Sequence, residues 1–174
     1  MYMVSVGAVC PDTAIIGLRL VISISRAAVT ATQLSMASNH DGVVLMAGAT
    51  ADLHQVSIDG ADPDGGYSDP RGHHRGVRGI CVESSSASLG SVAIANTAGW
   101  GLRVLREGAD VSASHLVVTG NGKVPPDTAT AQGKHGRGVA IDVAWMAQLN
   151  GDHILLRDNM GIGLMSIGPP PHEV

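Results

Sequence analysis

The chain has very few aromatic and charged residues for its length. Its 174 residues include no Phe, two Trp and two Tyr, so aromatics make up 2% of the sequence. Charged residues make up 15%, well below the roughly 25% of an ordinary globular domain. Hydrophobic residues still reach 44%. The core must therefore be filled by many small, regularly repeated side chains, which favours stacked parallel strands over a conventional sandwich.

Two partner classes are disfavoured by what the chain lacks. The formal net charge is −4, so there is no basic surface to attract nucleic acid. No apolar run reaches the roughly 18 residues that span a bilayer, so we expect no transmembrane segment. The apolar start, Met1 to Cys10, lacks the positive flank and cleavage site of a signal peptide. We expect it to be a strand of a further repeat.

Cysteine is also scarce. Cys10 and Cys81 are the two cysteines, and neither has a His or Cys neighbour at metal-ligand spacing. We expect both to be small buried or half-buried apolar groups, with a disulfide between them as the open alternative.

An internal repeat organises the chain. The pattern V-x-A-x-x-L-x-V-x-x-N, where x is any residue, is clearest from Val111 to Asn121, and related copies begin at Val29, Ala51, Ala87 and Leu149. Between copies lies a glycine followed by an alternating apolar segment, which begins at Gly17, Gly42, Gly79, Gly101, Gly138 and Gly163. Alternation of this kind is typical of short strands with one buried face. Each unit is therefore predicted to hold about three short strands.

The spacing of the copies predicts the fold. Val29 and Ala51 are 22 residues apart and Ala87 and Val111 are 24 apart, whereas the other two steps are 36 and 38. The long steps predict inserted loops at about 61–78 and 122–137. The period predicts an all-β fold, a right-handed parallel β-helix (a single-stranded solenoid) of about five to six rungs. Leucine-rich repeats are the main alternative, but the return segments here alternate like strands.

The domain prediction is a single β-helix domain over 1–174. Because it starts without an evident polar cap and ends in Gly168 followed by three Pro, we expect a fragment of a longer solenoid.

Asparagine recurs after the repeat, at Asn39, Asn96, Asn121 and Asn159. A tight bend often needs a residue with positive φ, which Asn tolerates best after Gly. Stacked Asn side chains can also hydrogen-bond to one another. We expect a structural column of corner residues, in which Asp59-Gly60 replaces Asn.

The combined pattern L-x-[VI]-x-x-N-x-x-x-G-[LIV]-x-[VI] resembles the parallel β-helix repeats of the pectate-lyase-like superfamily. It is closest to the uncharacterised right-handed β-helix repeat proteins of bacterial surfaces. The resemblance covers about residues 15–167. It implies an extracellular or cell-surface location and a polysaccharide or glycan partner. It indicates little about activity, because the superfamily includes lyases, hydrolases, epimerases, adhesins and inert spacers.

The best catalytic candidates are Glu83 and Asp142. Both are predicted to point outward two rungs apart, about 10 Å, with Arg103 between them. Inverting glycosidases hold two carboxyls about 6.5–9.5 Å apart. The paired-Asp motifs of polygalacturonases and the calcium-binding Asp set of pectate lyases are absent. Two solvated surface acids are the simpler interpretation.

The two inserted loops are predicted to leave the same edge, with Trp100 between their bases. Loops on a rigid scaffold often carry function, so the candidate ligand contacts are Trp100, Tyr67, His73, His74 and His135. The adjacent pair His73-His74 also hints at a metal, but neighbouring side chains on an extended chain point apart. We expect neither a metal nor a cofactor. The leading prediction is a non-catalytic secreted or cell-surface scaffold that contacts glycans through these loops; a polysaccharide lyase or glycoside hydrolase is the alternative.

Overall fold

The computed structural model describes residues 14–16, 22–37, 42–60, 67–68, 74–75, 78–97, 99–122 and 138–168. Within these ranges the chain is all-β and contains no helix. The strands are β1 (Ala14–Ile16), β2 (Ile22–Ser25), β3 (Ala28–Thr32), β4 (Ser35–Ala37), β5 (Val43–Met46), β6 (Thr50–Asp59), β7 (Tyr67–Ser68), β8 (His74–Arg75), β9 (Arg78–Glu83), β10 (Ser86–Ala95), β11 (Trp100–Leu105), β12 (Asp110–Thr119), β13 (Val139–Ala144), β14 (Gln148–Arg157) and β15 (Leu164–Ile167).

Two parallel sheets hold thirteen of these strands. The long-strand sheet has the order β1-β4-β6-β10-β12-β14, with β3 also paired to β6. The short-strand sheet has the order β15-β13-β11-β9-β5-β2. The remaining two strands, β7 and β8, form an antiparallel pair. Apart from that pair, the chain alternates between the two sheets from β5 to β15, and each strand pairs with its equivalent from the preceding unit. The predicted all-β fold of parallel strands is confirmed.

The register of the long-strand sheet follows the sequence repeat. Ala51 pairs with Ala87, Ala87 with Val111, and Val111 with Leu149. The later apolar positions align in the same way, in the columns Leu53-Leu89-Ala113-Gly151, Val56-Val92-Leu116-Ile154 and Ile58-Ile94-Val118-Leu156. In the first three strands these side chains are at most 7% exposed. They form the core together with inward residues of the short-strand sheet such as Ile80 and Leu102.

Each ten-residue strand bends at its sixth residue. Gln55, Ser91, His115 and His153 occupy this position and have φ between 52° and 56°. In the first unit the equivalent residue, Gln33 (φ 59°), separates β3 from β4. This residue with left-handed backbone is the x directly before L in the repeat V-x-A-x-x-L. The two short strands predicted there form one bent strand in the later units, and the bend lets both halves point apolar residues inward.

Two further columns of positive φ lie at the strand ends. Arg26, Ala47, Ser84, Arg106 and Trp145 follow the short strands, with φ between 45° and 74°. Gly60, Asn96, Gly120 and Asp158 follow the long strands, with φ between 54° and 68°. The chain therefore changes direction three times per unit.

The predicted single column of Asn residues divides into two roles. Asn96 has φ 54° and is a corner residue, as expected. Asn121 and Asn159 lie one position later, and neither has a positive φ. Asn121 is fully buried, and its Oδ1 accepts hydrogen bonds from the backbone N (3.0 Å) and Oγ1 (2.7 Å) of Thr97. Asn159 Oδ1 in turn accepts from Asn121 N at 3.1 Å. Glycine takes the corner at Gly120, which leaves Asn121 free for this buried ladder. Asn39 lies outside the described residues.

The predicted alignment of Gly138 with Gly101 is wrong. Trp100 pairs with Val139 and Leu102 with Ile141, so Ala140 is the residue opposite Gly101. Gly138 instead has φ 64° and packs against Gly122 just before the strand. The position of Gly101 in the sheet leaves space only for a small residue. In β13 this position is occupied by Ala140, which is fully buried. Everything in β13 is therefore shifted by two residues from the prediction.

Some side chains on the outer face of the short-strand sheet are also buried. Val44, Cys81, Leu105 and Ala144 form a second apolar cluster there, and each is at most 6% exposed. Cys81 is a free thiol, and its predicted burial is confirmed. Cys10 lies outside the described residues.

Candidate functional site

Arg103 and Asp142 form a partly buried ion pair on the outer face of the short-strand sheet. They are opposite each other in the register of β11 and β13. Arg103 Nε donates to Asp142 Oδ2 at 2.9 Å. The Asp142 side chain is 1% exposed, and its Oδ1 has no hydrogen-bond partner among the described residues. Burying an ionised carboxylate is costly unless it is paired, so the Arg103 guanidinium is what keeps Asp142 compatible with this position.

Glu83 lies in a different column from Asp142. Its register partner on β11 is Leu105, whose partner on β13 is Ala144. The prediction placed the two acids in one column because it assigned Gly138 to the strand start. Glu83 instead accepts from Arg106 Nε at 2.8 Å. The two predicted acids thus belong to separate ion pairs, and Asp142 shares its column with Arg103 and Cys81.

Trp100 is half-buried at the start of β11. The Arg103 guanidinium lies over its ring, 4.3 Å from the centroid, in a cation–π contact. The indole Nε1 is buried and finds no hydrogen-bond partner in the part of the chain that the structure describes. Tyr67 and His74 lie in the paired strands β7 and β8, but their side chains, and the whole of His73 and His135, lie outside the described residues. The predicted ligand contacts of these loops remain predictions.

Two further findings concern metal binding and membrane spanning. Among the residues that the structure describes, no three His, Cys, Asp or Glu side chains cluster closely enough to hold a metal ion. In the same ranges, no helix has the length and apolar character needed to cross a bilayer.

An open groove of about 440 Å³ lies on the long-strand sheet. It runs across four consecutive strands, β6, β10, β12 and β14. The lining residues are mostly small and polar: His54, Ser88, Leu89, Gly90, Ser91, Ser112, Ala113, Ser114, Asn150, Gly151 and Asp152. We call this set the long-strand groove. None of these lining residues is Lys or Arg.

The groove is built from two outward positions of the repeat. The third strand position is occupied by Asp52, Ser88, Ser112 and Asn150, which are paired in register. The fifth is occupied by His54, Gly90, Ser114 and Asp152. Neighbouring strands are about 4.8 Å apart, so the third position forms a line of four polar side chains at that spacing, and the fifth position forms a second line that is interrupted at Gly90. The left-handed residue at position six ends this surface.

Short contacts organise the polar groups in and beside the groove. His54 Nε2 lies 3.3 Å from Asp52 Oδ1. Ser114 Oγ lies 3.0 Å from His115 Nδ1. The rings of His115 and His153 stack with their centroids 4.7 Å apart and their planes inclined by 3°.

A fourth short contact joins two neighbouring residues of β14, Asp152 and His153. Asp152 Oδ2 lies 2.8 Å from His153 Nδ1. The hydrogen bond from His153 holds the pKa of the Asp152 carboxyl below its ordinary value, so this acid stays ionised at neutral pH.

Gly90 provides the space that His54 occupies. A Cβ at Gly90 would overlap Cε1 and Nδ1 of the His54 ring. The backbone of Gly90 does not need a positive φ, so the role of the glycine is to leave room for the imidazole in its present position.

No family model, curated protein or solved structure matches the chain. The chemistry of the site is therefore inferred from its own side chains. The groove residues were not among the predicted site residues, although the sequence contains their signal. The polar side chains of the groove are x residues of V-x-A-x-x-L, which change from strand to strand among Asp, Ser, Asn, His and Gly and become a set only through the register.

Proposed function

We propose that the chain is a right-handed parallel β-helix scaffold of a secreted or cell-surface protein, and that its long-strand groove binds a neutral polysaccharide without cleaving it. The observation that carries this proposal is the line of polar side chains that four consecutive strands present at the same positions.

The β-helix part is supported by topology and backbone geometry. The chain passes alternately between two parallel sheets and pairs with its own preceding unit each time. Three residues with positive φ turn it in each unit. Connections between parallel strands are right-handed in about 98% of cases, which supports the right-handed form. The resemblance of the repeat to the pectate-lyase-like superfamily supports the same architecture and an extracellular or surface location.

The polarity of the groove favours a polyhydroxylated ligand. Ser88, Ser112 and Ser114 can each donate and accept a hydrogen bond, and the Asn150 amide can do both. Sugar hydroxyls have the same dual capacity. Asp152 in the groove and Asp52 beside it would repel an acidic polymer, because the described residues that line the groove include no Lys or Arg to offset them. A neutral glycan therefore fits better than an acidic one or a nucleic acid.

The distance between Asp52 and Asp152 supports binding without hydrolysis. Asp52 and Asp152 lie on β6 and β14, three strand spacings apart, which is at least about 14 Å. Glycosidases require their two carboxyls within roughly 5–9.5 Å. Asp52 and Asp152 also contact neighbouring histidines. The alternative of a carbohydrate-active enzyme would have to rely on residues outside this groove.

A glycan array with the purified 174-residue chain tests the proposal. We expect binding to neutral polysaccharides, with affinity reduced at least about tenfold in the double variant Asp52→Ala/His54→Ala, because one end of the groove loses the hydrogen-bonding groups of both side chains. Ser57→Ala is the matched control, since Ser57 is an exposed outward residue on the same strand beyond the bend. If the chain binds no glycan, or if the double variant binds as tightly as the parent chain, the proposal that the groove binds a glycan is refuted.

Trp100→Ala is the third arm of this experiment. A loss of binding in Trp100→Ala together with full binding in the Asp52/His54 double variant would assign the glycan to the loop edge near Trp100. Thermal unfolding of every variant confirms that it is folded, because Trp100 is half-buried and contacts Arg103.

A further inference from the structure

The two lines of outward residues in the long-strand groove continue onto the first unit of the repeat. Thr30 on β3 pairs with Asp52, and Thr32 pairs with His54. The third strand position therefore carries a polar side chain on five neighbouring strands: Thr30, Asp52, Ser88, Ser112 and Asn150. The fifth position is occupied, in the same order, by Thr32, His54, Gly90, Ser114 and Asp152.

This polar surface is long in one direction only. Four strand spacings of about 4.8 Å give it a length of about 19 Å across the strands, whereas positions three to five cover roughly 7 Å along a strand. Pairing is residue for residue from β3 to β14, so the lines follow the stack without a sideways step. A ligand that uses the whole surface must therefore be extended and must offer a hydrogen-bonding group once per strand.

We propose that the neutral polysaccharide lies across the strands with one sugar ring on each strand, and that it is an unbranched chain of pyranose rings joined through equatorial 1→4 bonds. This inference rests on the proposed binding of a glycan in the groove and names the class of glycan.

The geometry of the linkage selects this class. Equatorial bonds at C1 and C4 leave a pyranose ring in nearly opposite directions. The chain is then extended, and each ring advances it by close to one strand spacing. An axial bond at C1 turns the chain at every ring and coils it, so the rings soon leave a straight line of side chains. Equatorial 1→3 bonds also curve the chain, because the two bonds leave the ring at an angle.

The side chains in the middle of the groove suit such a ligand. Successive rings of an extended 1→4 chain are turned over, so opposite edges of the sugar face a given line in alternation. Ser88, Ser112 and Ser114 can donate or accept a hydrogen bond, so each can bond to either edge. On β10 and β12 neither line carries a charged group, which suits neutral hydroxyls. Beside Ser88 the fifth position is Gly90, where the ring of His54 occupies the space.

Isothermal titration of the 174-residue chain with defined oligosaccharides tests this inference. The ligands are the β1→4-linked dimers, trimers and tetramers of glucose, mannose and xylose. Maltotetraose is the matched control, because it has the same glucose rings as cellotetraose and differs only in its axial bond at C1. We expect the best β1→4-linked tetramer to bind at least about tenfold more tightly than maltotetraose, and its affinity to rise with each ring from two to four.

Ser112→Trp tests the direction of the chain. Ser112 is exposed, so the indole can project outward and block the third-position line on β12. We expect the affinity for the best tetramer to fall at least about tenfold. The dimer should lose less, because β6 and β10 still offer two adjacent strands. Ser57→Trp, at an exposed position on the other side of the bend, is the matched control and should bind like the parent chain. Thermal unfolding confirms that both variants are folded.

Three results would overturn the inference and leave the groove as a glycan site: equal or tighter binding of maltotetraose, no gain in affinity with length, or a tetramer that binds Ser112→Trp as tightly as the parent chain. Failure of every oligosaccharide to bind would overturn it too. The glycan array then shows separately whether the groove binds any other sugar.

Discussion

The imidazole of His54 lies against the backbone of Gly90 on the neighbouring strand, in the space that a Cβ would fill. On its other side the ring contacts the Asp52 carboxylate, 3.3 Å from Nε2. The missing methyl group therefore leaves room for the only histidine among the described residues that line the long-strand groove.

Gly90→Ala should displace His54 from Asp52. Replacing glycine by alanine in extended backbone stabilises by about 0.4–1 kcal/mol through the unfolded state. We expect that gain in the His54→Ala background, and a smaller gain or a loss in the parent chain, where the ring must move. A double-mutant cycle measured by urea unfolding gives the coupling. Additive effects of the two substitutions would show that Gly90 does not hold His54 in place.

The bend in the ten-residue strands predicts opposite responses to glycine at two nearby positions. Gln55 has φ 53°, a conformation that costs a non-glycine residue about 1–2 kcal/mol. Gln55→Gly should therefore be neutral or stabilising by up to about 1 kcal/mol, after the entropic cost of glycine. Ser57→Gly, in extended backbone on the same strand, should destabilise by about 0.5–1 kcal/mol. Chemical unfolding measures both, and equal losses at the two sites would contradict a left-handed Gln55.

The two kinds of asparagine should also respond differently to glycine. Asn96 occupies a corner with φ 54°, so Asn96→Gly should change the free energy of unfolding little. Asn121→Gly leaves the backbone N–H and the hydroxyl of Thr97 without their acceptor. Each unsatisfied buried group costs about 1–3 kcal/mol, so for the two groups we expect a loss of about 2–6 kcal/mol in thermal or chemical unfolding. Similar losses for the two variants would mean that both residues serve the same role.

Cys81 should make the stability of the chain depend on alkaline pH. Burial raises the pKa of its thiol above the ordinary value, and the nearby Arg78 opposes this only in part. The unfolded chain then releases the thiol proton at a lower pH than the folded chain. Stability contributed by the neutral thiol is therefore complete below a pH of about 8.5, the ordinary pKa, and is lost as the pH rises toward the folded-state pKa.

Unfolding at a series of alkaline pH values measures this effect, in a Cys10→Ser background that leaves one thiol. The pH dependence should shrink in Cys10→Ser/Cys81→Ala. The Cys81 thiol should also react with a thiol reagent only after unfolding. Rapid reaction in the folded chain would contradict the buried site.

The repeat predicted the long-strand sheet well because its apolar positions are directly constrained by the core. Ala51, Ala87, Val111 and Leu149 were aligned from the repeated residue pattern, and their pairing is confirmed. The inserted loops interrupt the period without changing this register. Strict alternation on both sides of the bend left only one alignment that buries every apolar residue.

The short-strand sheet was predicted less accurately because glycine has two different uses there. Gly101 is small to allow close approach of Ala140 O, whereas Gly138 supplies a positive φ before the strand. A sequence pattern does not distinguish these reasons, so β13 was placed two residues out of register. That error put Asp142 in the column of Glu83.

The groove was missed for a related reason. Outward positions are free to vary, so Asp52, Ser88, Ser112 and Asn150 have no common residue type that a pattern would detect. They become a set only through the register, which places them side by side. The sequence-predicted acids stood out instead because isolated charges are conspicuous in a chain that has few of them.

Backbone amide chemical shifts, measured during titration with a neutral oligosaccharide that the glycan array selects, test the central claim most directly. We predict saturable shifts along the groove, at Ser88, Ser112, Ser114 and Asn150, with the outer face of the short-strand sheet around Arg103 and Asp142 unchanged. Shifts confined to the region of Trp100 and Arg103, with the four groove residues unaffected, would contradict it.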